Sequence, residues 1–239
     1  KKEVQLYRTL STAGITAATF AHESTGNPLK VIRASISTIE RRAKERFAED
    51  YKRQLHSAVE RVKISVESLG VLDTVTLSLL SHEKRRLARV DIHQLIENVI
   101  RMFSPFLSGR HVEVNLELAN GAPWLHGSEA AVESIITNLI NNSLVALEDR
   151  PPDERKLAIM TTVNETILRL AVLDSGTGIK DIRVPDIWLP GKTTRKNGTG
   201  LGLTIVKDAV LDLGGDVGVL ETSSLGGAEI YVELPIVGA

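Results

Sequence analysis

Asn138 and Asn142 stand four residues apart, a spacing that stacks both side chains on one face of a helix. Further along, Asp174-Ser-Gly-Thr-Gly178 and Gly198-Thr-Gly-Leu-Gly202 form two glycine clusters that bracket Lys192, Arg195 and Lys196. Glycine permits backbone angles and close approaches that side chains forbid, so such clusters often lie against a ligand. The second cluster runs directly into LTIVKDAVLDL, an apolar pattern with helical spacing. A helix N-terminus presents unpaired N–H groups and a positive dipole end, which suit a phosphate. The chemistry on offer is nucleotide binding beneath a basic flap.

Two common phosphate motifs do not fit. A P-loop ends in Gly-Lys-Ser/Thr, which Gly191-Lys192-Thr193 supplies, but its first glycine falls on Asp186 and no strand precedes it. The dinucleotide fingerprint needs G-x-G-x-x-G after a strand, whereas Gly198, Gly200 and Gly202 are spaced G-x-G-x-G after a polar loop.

The elements that must position these residues follow from periodicity. LARVD reads as a strand ending in Asp91, an N-cap for IHQLIENVIRMFSPFL. HVEVNLEL alternates as a strand does, and Ser128 caps a long helix, EAAVESIITNLINNSLVALEDR, ended by Pro151 and Pro152. LAIMTTVN and TILRLAVLD form a hairpin turning near Asn164-Glu165. A helix from about Gly200 to Leu213 precedes a closing hairpin, DVGVLETSS and AEIYVELP. Residues 86–239 therefore read as an α+β sandwich, a mixed or antiparallel sheet with helices on one face.

Residues 1–85 read differently, as an all-α helical hairpin. Leu55, Val59, Val62, Val66 and Leu69 make a heptad-like seam, and Leu10, Ile15, Phe20, Leu29, Ile32, Ile36 and Ile39 mark the first helix. Between them ERRAKERFAEDYKRQ is the solvated tip. Two helices cannot cover both seams, so a homodimer forming a four-helix bundle is expected.

Composition narrows the function classes. Net charge is −1 and aromatic residues are 4%, which argues against a nucleic-acid surface. There is no cysteine, so disulfides and Cys-based zinc sites are excluded. No apolar run spans a membrane and no signal peptide is visible, so no membrane contact and a cytoplasmic location are expected. The chain begins at Lys1 without a methionine, and an upstream portion is expected to be missing.

Residues 86–237 resemble the ATP-binding domain shared by histidine kinases, Hsp90, gyrase and MutL, the GHKL (Bergerat) fold. Asn138-Leu-Ile-Asn-Asn142-Ser143 resembles its N box, Asp174 to Gly178 its first glycine box and Gly198 to Gly202 its second. Ile187-Trp188-Leu189-Pro190 with Thr193-Thr194-Arg195 is similar to the kinase lid, placed at about 180–199, with Trp188 where phenylalanine is usual. The resemblance implies ATP and Mg²⁺ as ligands, with Asn142 holding the metal through its amide oxygen and Asn138 beside it. Asparagine at 138 replaces the water-activating glutamate of gyrase-like relatives, which favours phosphotransfer over hydrolysis. Asp174 would accept from the adenine amino group, and Gly176 and Gly178 would let backbone approach the base and ribose. Gly198, Thr199, Gly200, Leu201 and Gly202 would open the helix toward the phosphates. Lys192, Thr193, Thr194 and Arg195 would reach them from the lid.

Phe20-Ala-His-Glu-Ser-Thr-Gly-Asn-Pro-Leu29 resembles the histidine-kinase H box, H-E-x-x-N-P-L. The resemblance implies that His22 accepts the phosphoryl group and that Glu23 takes its ring proton. Four residues separate Glu23 from Pro28 where the family has three; a π-bulge near Gly26, beside the kink expected at Pro28, is the way to absorb the extra one. The family's phosphatase side chain would fall on Gly26, which has none. His56, His82, His93, His111 and His126 read as structural or merely exposed.

The expectation is an ATP-dependent protein-histidine kinase of a two-component system, passing phosphate from His22 to a response-regulator receiver. The alternative is a GHKL ATP-driven switch without phosphotransfer.

Overall fold

The computed structural model describes residues 29–63, 65, 66, 84, 86–121, 123–194 and 200–237. The chain divides into two units, Lys1–Ser81 and His82–Ala239.

In the first unit, residues 29–50 (α1) and 56–63 (α2) are helical and are joined through a π-helical turn, Tyr51–Leu55. The charged tip is rich in Ala, Glu, Lys and Arg, good helix formers, so helix persists where a loop is conceivable. Glu40 bonds Lys44 at 2.7 Å, the Tyr51 hydroxyl at 3.0 Å, and Lys63. A straight helix would hold Glu40 and Lys63 roughly 35 Å apart at about 1.5 Å per residue. The chain therefore doubles back, and α2 lies along α1 as a hairpin requires. Lys44 and Lys63, with the Tyr51 hydroxyl, hold the Glu40 carboxyl down to a pKa of about 2. Glu40, His56 and Glu60 bring possible metal-ligand atoms within 4.8 Å of one another. Lys63 already neutralises both glutamates there, bonding Glu60 at 2.8 Å, so the cluster is an ion-pair staple. Val31, Ile32, Ile39, Phe47, Leu55 and Val62 remain exposed, an apolar stripe that one hairpin leaves uncovered. The H box and the bulge expected near Gly26 lie outside the described residues.

The second unit runs β1 (Leu87–Asp91), α3 (Ile92–Gly109), β2 (Glu113–Glu117), β3 (Trp124–Ser128), α4 (Glu129–Ala146), β4 (Lys156–Asn164), β5 (Ile167–Asp174), α5 (Gly202–Asp212), β6 (Asp216–Leu220) and β7 (Glu229–Pro235). Five strands form a mixed sheet in the order β2-β4-β5-β7-β6, with β2 parallel to β4 and the other pairs antiparallel. Asp91 caps α3 by accepting from Gln94 N at 3.0 Å, and Ser128 caps α4 by accepting from Ala131 N at 3.3 Å. Periodicity misses β3, because PWLHGS does not alternate; its partner β1 lies far away in sequence, with Leu87 opposite Ser128. The helix expected to run to Arg150 stops at Ala146. There the last turn tightens, and Arg155 donates to the carbonyls of Glu148 and Arg150 at 3.1 and 2.9 Å.

Helix α4 is the centre of this unit. Val132, Ile135, Ile136, Leu139 and Ile140 have no exposed surface, packed between the sheet and the neighbouring helices. On β5, Leu168, Leu170 and Val172 are buried toward the helices, and the two-residue period carries Asp174 to that same face. On the opposite face Ala158, Ala171 and Leu173 form a smaller cluster with Met160, Leu225 and Tyr231.

Candidate nucleotide site

A cleft of about 860 Å³ opens beside α4, walled by the segment after β5 and by the start of α5. Its floor is one stripe of α4: Asn138, Asn141, Asn142, Val145 and Ala146, with Asp149 just beyond the helix. That is helical spacing, so a single buried helix sets the whole floor. The stripe is polar at one end and apolar in the middle, where Ile179, Ile187, Ile205 and Ile230 complete the walls.

At the polar end α5 begins directly above the asparagines. A Cβ placed on Gly202 would stand 3.1 Å from Asn138 Oδ1 and 3.9 Å from both amide atoms of Asn142. The Asn138 amide nitrogen donates back to Ser134 O at 2.8 Å, which turns Oδ1 toward Gly202. Helix α5 has no side-chain cap, and Leu201, Gly202 and Leu203 line the cleft, so the positive end of its dipole lies there. The root of the basic segment is laid on this end. Gly191 N donates to Gly200 O at 3.1 Å. Gly200, at φ +65°, has Lys192 N only 2.7 Å from where a Cβ would sit. Lys192, Thr193 and Thr194 form the adjoining wall. Ahead of them a 3-10 turn, Val184–Trp188, buries Ile187 and Trp188, and Thr204 Oγ1 donates to Trp188 O at 3.3 Å. The first part of the expected lid is thus anchored to the core.

At the far end Asp174 is only 4% exposed. Its Oδ1 accepts from Gly176 N at 2.9 Å and Ala228 N at 3.3 Å, and the Ser143 hydroxyl also bonds the carboxylate. Burial pushes its carboxyl above the ordinary value of 3.8, and these hydrogen bonds oppose the rise without cancelling it. The result is a fixed acceptor at the edge of an apolar slot. Gly176 seats the turn against α4, since a Cβ there would lie 2.7 Å from Ala146.

The structure thus gathers Asn138, Asn142, Asp174, Gly178, Lys192, Thr193, Thr194, Gly200, Leu201 and Gly202 around one cleft, with Gly176 behind Asp174. Arg195, Gly198, Thr199, His22 and Glu23 lie outside the described residues. Sequence reasoning missed Gly227, whose N–H donates to Asp174 O at 3.0 Å and whose missing Cβ leaves room for Asp174 Oδ1. The Gly226-Gly227 pair ahead of the alternating AEIYVELP is the signal that marks it. Asn141, Val145 and Asp149 were legible too, by continuing the Asn138–Asn142 stripe along the same helix face.

The donor set fits a magnesium-bound nucleotide. Amide oxygens are hard donors of the kind Mg²⁺ accepts, and both asparagines are neutral, so phosphate would balance the ion's charge. Asn138 Oδ1 and Asn142 lie beside the α5 N-terminus, where phosphate is favoured.

Residues 127–238 match the histidine kinase-, DNA gyrase B-, and HSP90-like ATPase family. This part of the chain has the fold of a GHKL ATPase domain. The whole chain is 27% identical to sporulation kinase D of Bacillus subtilis, over 99% of this chain and 46% of that protein. It is 25% identical to the sensor histidine kinase ZraS of Escherichia coli O157:H7, over 98% of this chain and 48% of that protein. It thus spans about half the length of these curated relatives. Among solved structures, the catalytic domain of histidine kinase ThkA aligns at TM-score 0.56 and 24% identity, over 63% of this chain and 95% of that one. Full-length ShkA in complex with AMPPNP aligns at TM-score 0.55 and 22% identity, over 93% of this chain and 46% of that one. At these identities the structural likeness establishes the fold of the second unit. No helix among the described residues is long and apolar enough to cross a membrane.

Proposed function

We propose that the chain is the catalytic core of a protein-histidine kinase: residues 1–85 dimerise and carry the acceptor His22, and residues 86–239 bind Mg·ATP. One observation carries the nucleotide half. Asn138 and Asn142 lie under the N-terminus of α5 at one end of the cleft that holds buried Asp174 at the other. That polarity matches a ligand with an anionic tail and a flat base bearing an amino group.

Asp174 accepts from the exocyclic amino group, and the isoleucine walls enclose the ring. The α5 N-terminus, Lys192 and Arg195 hold the phosphates, and Asn142 with Asn138 faces the metal. Mg²⁺ held by Asn142, with Asn138 beside it, would neutralise phosphate charge. His22 attacks with a ring nitrogen, so an N–P bond forms as the P–O bond to ADP breaks; Glu23 accepts the proton from the other nitrogen. A receiver aspartate on a response regulator then takes the phosphoryl group. Asn138 supports transfer over hydrolysis, since an amide is no base for water. The exposed stripe of Val31, Ile32, Ile39 and Val62 supports a second hairpin as its cover. The sensor histidine kinases among the relatives support the same assignment.

The test is incubation with γ-labelled ATP and Mg²⁺ beside His22→Gln. Acid-labile, alkali-stable label on the wild type alone is expected. Nucleotide binding with no label on either protein would overturn the kinase reading in favour of an ATP-driven switch.

A further inference from the structure

Asp174 does not hold its position alone. Its neighbour Ser175 is only 5% exposed, yet every polar atom it has is engaged. Ser175 N donates to Lys156 O at 3.1 Å. Ser175 Oγ donates to Glu154 O at 2.6 Å and accepts from Lys156 N at 2.9 Å. The remaining group, Ser175 O, accepts from Arg150 Nε at 2.7 Å. Arg150 is the one side chain in this set that reaches Ser175 from the turn after α4, the helix that forms the cleft floor. Its own backbone is fixed in turn, because Arg155 Nε donates to Arg150 O at 2.9 Å while Arg155 Nη1 donates to Arg110 O at 2.9 Å. A guanidinium on a carbonyl is a charge-assisted bond, stronger than the neutral contacts around it.

We infer that Arg150 is a positioning residue for base recognition: through Ser175 it sets the Asp174 carboxylate relative to the α4 floor. This rests on the reading of Asp174 as the group that meets the nucleotide amino group. Ser175 O and Gly176 N belong to one peptide group, and that Gly176 N–H bonds the Asp174 carboxylate. A shift at Ser175 O therefore displaces both the carboxylate and one of its donors. The phosphate end, built from α5 and the α4 asparagines, has no bond to Arg150 among those described. Loss of Arg150 should thus weaken discrimination at the base while leaving phosphate binding in place.

Two substitutions separate the hydrogen bond from mere bulk. Arg150→Gln keeps an N–H donor the same number of bonds from the backbone as Nε, and Arg150→Met fills the space with no donor. The chain is titrated calorimetrically with Mg·ATP and with Mg·purine riboside triphosphate, which lacks the amino group. The wild type should prefer ATP. Arg150→Met should lose about tenfold in ATP affinity, the scale of one charge-assisted hydrogen bond, with the analogue unchanged. Arg150→Gln should keep most of the preference. A wild-type preference that persists in Arg150→Met would overturn the inference and leave the reading of Asp174 intact. No preference in the wild type would overturn that reading itself. Equal losses for both nucleotides would make Arg150 a general stabiliser and likewise overturn its assignment.

Discussion

Gly227→Ala is the sharpest test of how the cleft is built. The substitution adds one methyl group, but a Cβ at 227 would lie 2.5 Å from both Asp174 O and Gly176 N and would overlap Asp174 Oδ1. Ordinary carbon contacts begin near 3.5 Å, so roughly 1 Å of movement is needed in atoms of two backbones. Overpacking of this kind costs about 1–3 kcal/mol. The same movement strains the bonds from Gly227 N to Asp174 O and from Gly176 N and Ala228 N to the carboxylate. Weakening hydrogen bonds to a charged group adds about 1.5–3 kcal/mol. A total of about 3–5 kcal/mol is expected, a large share of the ~5–15 kcal/mol that stabilises a domain. At about 2–4 °C per kcal/mol for this size, the melting temperature should fall by about 10 °C, and nucleotide binding should vanish with it. Gly226→Ala is the internal control. It has nothing within 4 Å of its Cβ position but adopts φ +94°, so it should lose only about 1 kcal/mol through backbone strain and still bind nucleotide. The assay is thermal and urea unfolding paired with calorimetric titration of Mg·ATP. Gly227→Ala within 1 kcal/mol of wild type with unchanged affinity would refute the packing argument.

Asp174→Asn should abolish nucleotide binding while leaving the free protein at least as stable as wild type near neutral pH. The sign follows from burial: a carboxyl raised above 3.8 in the folded state is favoured when protonated, so its contribution falls as pH rises from the ordinary carboxylate range through the folded value. Urea midpoints for the two proteins should converge at acid pH; a wild type that gains on the variant as pH rises would contradict this. Asn142→Ala should weaken Mg·ATP binding by about tenfold while affecting metal-free nucleotide less, as expected on losing one oxygen donor to the ion. Equal losses by calorimetry would remove Asn142 as a metal ligand.

The sequence by itself determined the parts list of the nucleotide cleft. Residues that act through a local period or a local backbone need no distant partner to be recognised. Asn138 and Asn142 share a helix face at i and i+4, Asp174 ends a strand of alternating apolar residues, and Gly202 opens a helix. Ser128 and Asp91 announce their helices for the same reason. The tertiary structure decided what depends on atoms far apart in the chain. β3 exists because β1 pairs with it, and Gly227 matters because the space beside Asp174 excludes a methyl group. Asp174 is a raised carboxyl because α4, the turn after β5 and the Gly227-Ala228 segment ahead of β7 bury it together, and Arg150 reaches Ser175 only across the turn after α4. Burial and steric exclusion are sums over neighbours that folding assembles, and no period in the sequence encodes them.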